Sequence, residues 1–162
     1  AAEIYSLWPS VDAQAGYLLP RLSYHLGRWI RHGGWHPDYQ LRLFNKKHSQ
    51  WDGLQVHEKV KVKNQVKLKA SILHWVFDNI SDQVITNDKY SGLLAQNLSQ
   101  QQRSFSIFKL ITKPISKFIE TYFWKRGFLD GLPGLIIAVS AAYSVFLKWA
   151  KLWEIQCLQK KI

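Results

Sequence analysis

Lysine and apolar residues alternate along residues 59–70, and this period of two is the plainest structural signal in the chain. Val60 and Val62 stand between Lys59, Lys61 and Lys63; after Asn64 and Gln65, Val66, Leu68 and Ala70 stand around Lys67 and Lys69. The pattern predicts a β-hairpin over residues 56–75 with one apolar and one lysine-covered face. Lysine on the open face also guards against edge-to-edge pairing. Upstream, Ser10, Val11, Asp12 and Ala13 initiate a turn, and residues 16–24 read as a strand interrupted by Pro20, which suggests an edge strand or a bulge. Residues 41–44 make a second short strand, followed by a polar turn over 45–48.

Downstream the period lengthens. In residues 81–102, Ile85, Tyr90, Leu93, Leu94 and Leu98 recur between polar residues at helical spacing, and 99–102 reads as a linker. Residues 103–126 interleave Phe105, Phe108, Ile111, Ile115, Phe118, Ile119 and Tyr122 with Arg103, Lys109, Lys113, Lys117, Lys125 and Arg126. This predicts a basic amphipathic helix, broken or kinked at Pro114. Residues 131–147 carry no charge. As a helix they would extend roughly 25 Å, short of a hydrocarbon core of about 30 Å. With Pro133, Gly134 and Ser140 inside the run, a helix in the membrane interface or packed on protein is favoured over a span. The organisation expected is a catalytic part at 1–98 and a basic helical extension at 99–162.

The charge balance adds a partner class. The net charge is +11, the pI is near 9.8, and eight of the 162 residues are tryptophan. A cationic, aromatic-rich chain favours anionic partners: nucleic acid, acidic lipid headgroups or phosphorylated sugars. Tryptophan and tyrosine suit both carbohydrate faces and the membrane interface. The single cysteine, Cys157, rules out an intrachain disulfide and a cysteine-rich zinc site. The chain lacks methionine and opens on Ala1-Ala2, so it reads as a fragment or a processed chain, with no basic-then-apolar leader at its start.

Strand parity raises candidates for chemistry. Glu58 shares the even positions with Val60 and Val62, and His74 shares them with Val66, Leu68, Ala70 and Ile72. If the pleat continues, both point to the inner face, while His57 faces the lysine side. Partial desolvation would raise the Glu58 pKa and make it a better base. The bland alternatives are a surface carboxylate paired with lysine and a satisfied core histidine.

Residues 27–44, GRWIRHGGWHPDYQLRLF, crowd cations and aromatics around a glycine pair. Gly33, Gly34 and Trp35 suit a loop whose backbone approaches a polar ligand, or an ordinary turn. Arg28, Arg31 and Arg42 could fork onto anionic oxygens or stand solvated.

This stretch, with VHEK, ILHWVF, RGFLDGLPGLIIAV and FLKWAKLWE in the same order, resembles the bacterial lipopolysaccharide-core glucosyltransferases of family-two glycosyltransferases. The resemblance covers nearly the whole chain but only the second half of such an enzyme; the family's Asp-x-Asp nucleotide-binding half has no counterpart. It implies an α/β fold: the acceptor-side half of a GT-A nucleotide-sugar transferase, with short strands and a hairpin, followed by C-terminal helices. It implies an inverting transfer of a hexose, glucose by the resemblance, from a nucleotide diphosphate sugar to the lipopolysaccharide inner core, with the fragment inactive alone. Glu58 takes the place of the general base and His74 that of a late metal ligand for Mg²⁺ or Mn²⁺. Gly33, Gly34 and Trp35 match the glycine-rich loop beside the donor sugar. Asp38 and Arg42 match donor or acceptor contacts, and Arg28 and Arg31 would meet phosphate on the donor or the core. The expected location is peripheral, on the cytoplasmic face of the bacterial inner membrane against anionic lipid, without a nucleic-acid partner. The competing reading is a non-catalytic basic module for membrane or nucleic acid.

Overall fold

The structure, a computed structural model, describes residues 2–7, 9, 11–51 and 60–159. Its elements are α1 (Ala2–Leu7), β1 (Ala15–His25), β2 (Arg28–Ile30), β3 (Asp38–Phe44), β4 (Gln50–Trp51), β5 (Val60–Lys61), β6 (Asn64–Lys67), β7 (Ile72–Trp75), α2 (Ile80–Gln100), α3 (Ile107–Ile119) and α4 (Gly131–Gln159). They form an α/β chain of two compact units, residues 1–23 with 36–74, and residues 24–35 with 75–162. The two units interleave along the sequence.

In the first unit β1 organises the sheet. It pairs antiparallel with β3, Arg21 opposite Asp38 and Gly16 opposite Phe44, and parallel with β6, Ala15 opposite Asn64. Ala15, Tyr17, Leu19 and Leu68 make the core, with Ile4, Leu43 and Ile72 packed against it. Pro20 therefore lies in an interior strand, not at an edge. The register with β6 ends at Leu18, so the missing Pro20 N–H breaks no bond of that ladder, and the register shift on the β3 side falls between Tyr17 and Leu18. The Glu3 carboxylate accepts the N–H groups of Lys69 and Ala70, which ties α1 to the segment after β6. Those bonds hold the Glu3 carboxyl below its ordinary value.

Among the described residues the predicted hairpin does not form. Its first arm, β5, pairs with β4, while β6 and β7 each pair with β1. Alternation does describe the second arm from Leu68 onward: Leu68 is buried, Ile72 and His74 are half-buried, and Leu73 and Trp75 are exposed. Val66 departs from it, being exposed.

In the second unit the end of β1 turns at Leu26 and Gly27, both with positive φ as a type I′ hairpin requires, into β2. Asn79 caps α2 through its side-chain oxygen, and the helix continues through Ser99 and Gln100, which the sequence reading placed in a linker. The chain reverses at Gln102, in the left-handed region, and the Gln156 side chain bonds Phe105 N–H and the Arg103 carbonyl across that turn. Ser106 then caps α3, which keeps Pro114 inside it and runs on as a π-helix over Glu120–Trp124. Helix α4 packs on α2 and α3 around Ala95, Trp149 and Leu152, bordered by Leu98, Leu110, Val145 and Ile155. Asn87 donates to Ser140 Oγ at 2.7 Å, and Lys151 bonds Asp88 at 2.7 Å.

Between the π-helix and α4 the backbone is packed without room for a side chain. A Cβ on Gly134 would collide with the Gly127 carbonyl oxygen, and one on Gly127 would stand 2.7 Å from the Thr121 carbonyl oxygen.

Candidate active site

Two sets of predicted residues come into view, one in each unit. In the first, Arg21 on β1 forms an ion pair with Asp38 at the start of β3. Asp38 also accepts from Gln40 Nε2 at 2.8 Å. His74 on β7 lies within the field of this pair. Its pKa is lowered by burial first, then by the Arg21 and Arg42 cations, against the opposing pull of Asp38. At neutral pH the ring is thus a neutral imidazole with a lone pair, in electropositive surroundings. His36 Nδ1 stands 3.2 Å from the Arg21 carbonyl; a carbonyl only accepts, so this nitrogen carries the proton. The structure brings Asp38, Arg42 and His74 together and adds Arg21, which the sequence reading passed over.

The second unit holds the glycine-rich loop. Gly33 and Gly34 both have positive φ, which explains glycine at each. Gly33 N–H donates to the Lys125 carbonyl at 2.9 Å, and Gly34 leaves room for the Lys125 side chain, which a Cβ would meet at 2.8 Å. The loop is further held by Asp130, which is 1% exposed. Its carboxylate accepts Arg31 N–H at 3.1 Å and His32 N–H at 2.7 Å, and stands 3.1 Å from His32 Nδ1. A carboxylate is an acceptor only, so His32 Nδ1 carries a proton. Arg28 Nη1 donates to the Asp130 carbonyl at 2.9 Å, and its other terminal nitrogen lies 3.8 Å from the carboxylate. Arg28 is engaged within the unit, whereas the Arg31 side chain is exposed.

Trp35, half-buried, stacks on His25 with ring centres 5.6 Å apart. Tyr24, Trp29 and Trp75 form an aromatic group with ring centres 5.0 to 6.3 Å apart, and Trp75 is 64% exposed. Such rings can offer flat apolar faces to a sugar. Glu58 and His57 lie outside the described residues.

The comparisons with known proteins supply the chemical context for these groups. The chain is similar to the lipopolysaccharide core biosynthesis glycosyltransferase LpsC of Rhizobium meliloti, 27% identical over 153 residues, covering 93% of this chain and 57% of the relative. The chain resembles the bacterial lipopolysaccharide-core glycosyltransferases. It is similar as well to uncharacterised glycosyltransferases of Rickettsia typhi, 27% identical over 132 residues and covering 75% of this chain and 45% of the relative, and of Rickettsia bellii, 28% identical over 128 residues with 72% and 44% covered. The chain spans about half the length of the curated relatives it matches, on their C-terminal side. No protein-family model matches it, and no solved structure does.

The donor set for a divalent cation is incomplete among the described residues. They contain no group of three or more His, Cys, Asp or Glu side chains that could hold a metal ion. His74 offers one imidazole, and Asp38, the carboxylate whose field reaches it, is paired with Arg21. A lone histidine between arginines does not bind a divalent cation unaided.

Proposed function

We propose that the protein of which this chain is the C-terminal side is an inverting glycosyltransferase that moves a hexose, glucose in the first instance, from a nucleotide diphosphate sugar to the inner core of lipopolysaccharide. The observation that carries this reading is the similarity to a lipopolysaccharide core glycosyltransferase along 93% of the chain. In this reaction the acceptor hydroxyl oxygen forms a bond to the anomeric carbon while the bond to the diphosphate oxygen breaks. The nucleotide diphosphate leaves with the electron pair, and Glu58 takes the hydroxyl proton. This chain would be the acceptor-side part of a GT-A fold, inactive without the nucleotide-binding half.

The described residues fit the tasks such a half must perform. Exposed Arg31 and Arg42 are available to phosphate oxygens, and Asp38 to sugar hydroxyls. At the glycine pair only Gly34 is exposed to a donor, since Gly33 is buried with its N–H on the Lys125 carbonyl. A Mg²⁺ or Mn²⁺ ion would stabilise the leaving diphosphate, with His74 as one ligand and the others from outside the described residues. The lipid-linked acceptor places the reaction at the cytoplasmic face of the inner membrane.

The test is turnover by the full-length protein with a panel of nucleotide diphosphate hexoses and a truncated core acceptor. The expected result is acceptor-dependent release of nucleotide diphosphate with inversion at the anomeric carbon, seen by NMR of the product. Full-length protein that is folded and binds no nucleotide sugar would overturn the reading.

A further inference from the structure

Helix α3 packs on α4 beside Leu110 and leaves a second apolar row uncovered. Ile107, Ile111, Ile115 and Ile119 form one row at a spacing of four, and Lys109, Lys113 and Lys117 form another on the opposite side of the helix. A helix packed on protein normally turns its apolar row inward. Here the four isoleucines are 50 to 61% exposed and Phe108 is 71% exposed. The lysine side borders α4 instead: Lys109 Nζ lies 5.4 Å from the centre of the Trp149 ring, and Lys148 Nζ lies 5.7 Å from the same centre. The apolar exposure continues past the helix at Phe123, 57% exposed, and Trp124, 86% exposed. On α4, Leu132, Val139 and Tyr143 are exposed too. Charge singles out what would cover these faces. Residues 103–126 hold six cations and one carboxylate, Glu120, which is shared by Lys117 and Lys125. Among the described residues Lys109, Lys113 and Lys148 form no ion pair.

We propose that α3 lies in the plane of an anionic phospholipid bilayer, its isoleucine row and Phe108 in the acyl boundary and the exposed Lys113 reaching back to the phosphate layer. An exposed apolar row backed by unneutralised lysines is the arrangement that interfacial helices use. Trp124 then sits at headgroup depth, where its amphipathic ring is favoured. Lys148 loses proton affinity through burial first and then through repulsion by Lys113 and Lys117, so a phosphate beside the exposed Lys113 relieves part of an existing repulsion. Helix α4 belongs to a segment, Gly127–Gln159, long and apolar enough to cross a bilayer by length and composition. Its packing on both α2 and α3 through the fully buried Ala95 and Leu152 favours attachment on one face. The proposal deepens the transferase reading by naming the surface on which a lipid-linked acceptor is met, and rests on that reading only for its biological purpose.

Co-sedimentation with vesicles tests it without any sugar nucleotide, so its failure and failure of the transferase reading are distinguishable. The chain should sediment with phosphatidylcholine vesicles containing phosphatidylglycerol, and be released by high salt. Lys113→Gln should weaken binding roughly fivefold, the worth of one cation near an anionic surface. The pair Ile111→Ser and Ile115→Ser should weaken it at least about tenfold, with the melting temperature unchanged because both side chains are exposed. Wild-type binding by the double variant would overturn the proposal. So would absence of binding, equal salt-resistant binding to neutral vesicles that survives alkaline extraction, which would mean a spanning α4, or a dimer abolished by the same two substitutions in a chain that ignores vesicles.

Discussion

The Asp130 carboxylate reaches His32 twice, through the backbone N–H at 2.7 Å and through ring Nδ1 at 3.1 Å. A buried carboxylate that also accepts Arg31 N–H fixes the course of the loop and keeps a proton on ring Nδ1. Asp130→Ala would leave the Arg31 and His32 amides and the His32 ring Nδ1–H without their acceptor inside the second unit, while Arg28 keeps the backbone carbonyl. The expected loss is about 3 kcal/mol, the usual scale for breaking a buried charged network. Urea unfolding checks this, and Asp130→Asn should recover part of the loss because the amide oxygen still accepts.

Glu58→Gln, made in the full-length protein, should leave nucleotide-sugar affinity close to wild type and lower kcat by roughly 10² to 10⁴, the worth of a general base. Steady-state kinetics with saturating donor separate the two effects. Unchanged turnover would remove Glu58 from the mechanism.

His74→Ala should weaken Mn²⁺-dependent binding of nucleotide diphosphate by more than it lowers the melting temperature. Calorimetric titration with and without the ion provides the comparison. If affinity is the same in both proteins and only the melting temperature falls, His74 is a packing residue.

Acid should destabilise the fold through His25. This ring is 1% exposed, surrounded by the uncharged Trp35, Phe77 and Gln83, and burial lowers its pKa against the opposing bond to Gln83. The unfolded chain therefore takes up a proton near the ordinary histidine value while the folded chain still refuses it. Stability is present above pH of about 6.5 and falls as the pH drops below it, down to the lowered folded value. Denaturation midpoints measured through this range should decline, and His25→Phe should flatten that part of the decline.

The positions that were legible in the sequence are those governed by local periodicity. Alternation places Leu68, Ile72 and His74 on the inner side of their strands, and helical spacing marks α2 as a helix, although Leu93 and Leu94 are exposed and Ser91 and Ala95 are buried in their place. Pairing was not legible, because alternation states which face a residue takes and says nothing of its neighbour. The long β1 captures both β6 and β7, so among the described residues two segments that look like arms of one hairpin do not pair. Arg21 was overlooked because its significance comes from Asp38, brought opposite only by the β1–β3 register. Asp130 was overlooked for a related reason: its partners at 28–32 lie about a hundred residues earlier. The one local hint was a carboxylate set among glycines and apolar residues in GFLDGLPG. For α3 the period was legible and its direction was not, since a moment gives the apolar side of a helix without saying what lies against it.

The close backbone approach between Gly127 and Gly134 has a genetic consequence. Every missense change at either codon adds at least one carbon where the opposing carbonyl already stands, so no mild allele exists there and drift has no first step to take. Gly92 offers the contrast, with only the end of the flexible Lys151 side chain within reach of a new Cβ. Among diverged descendants of this sequence, positions 127 and 134 should therefore remain glycine while position 92 wanders.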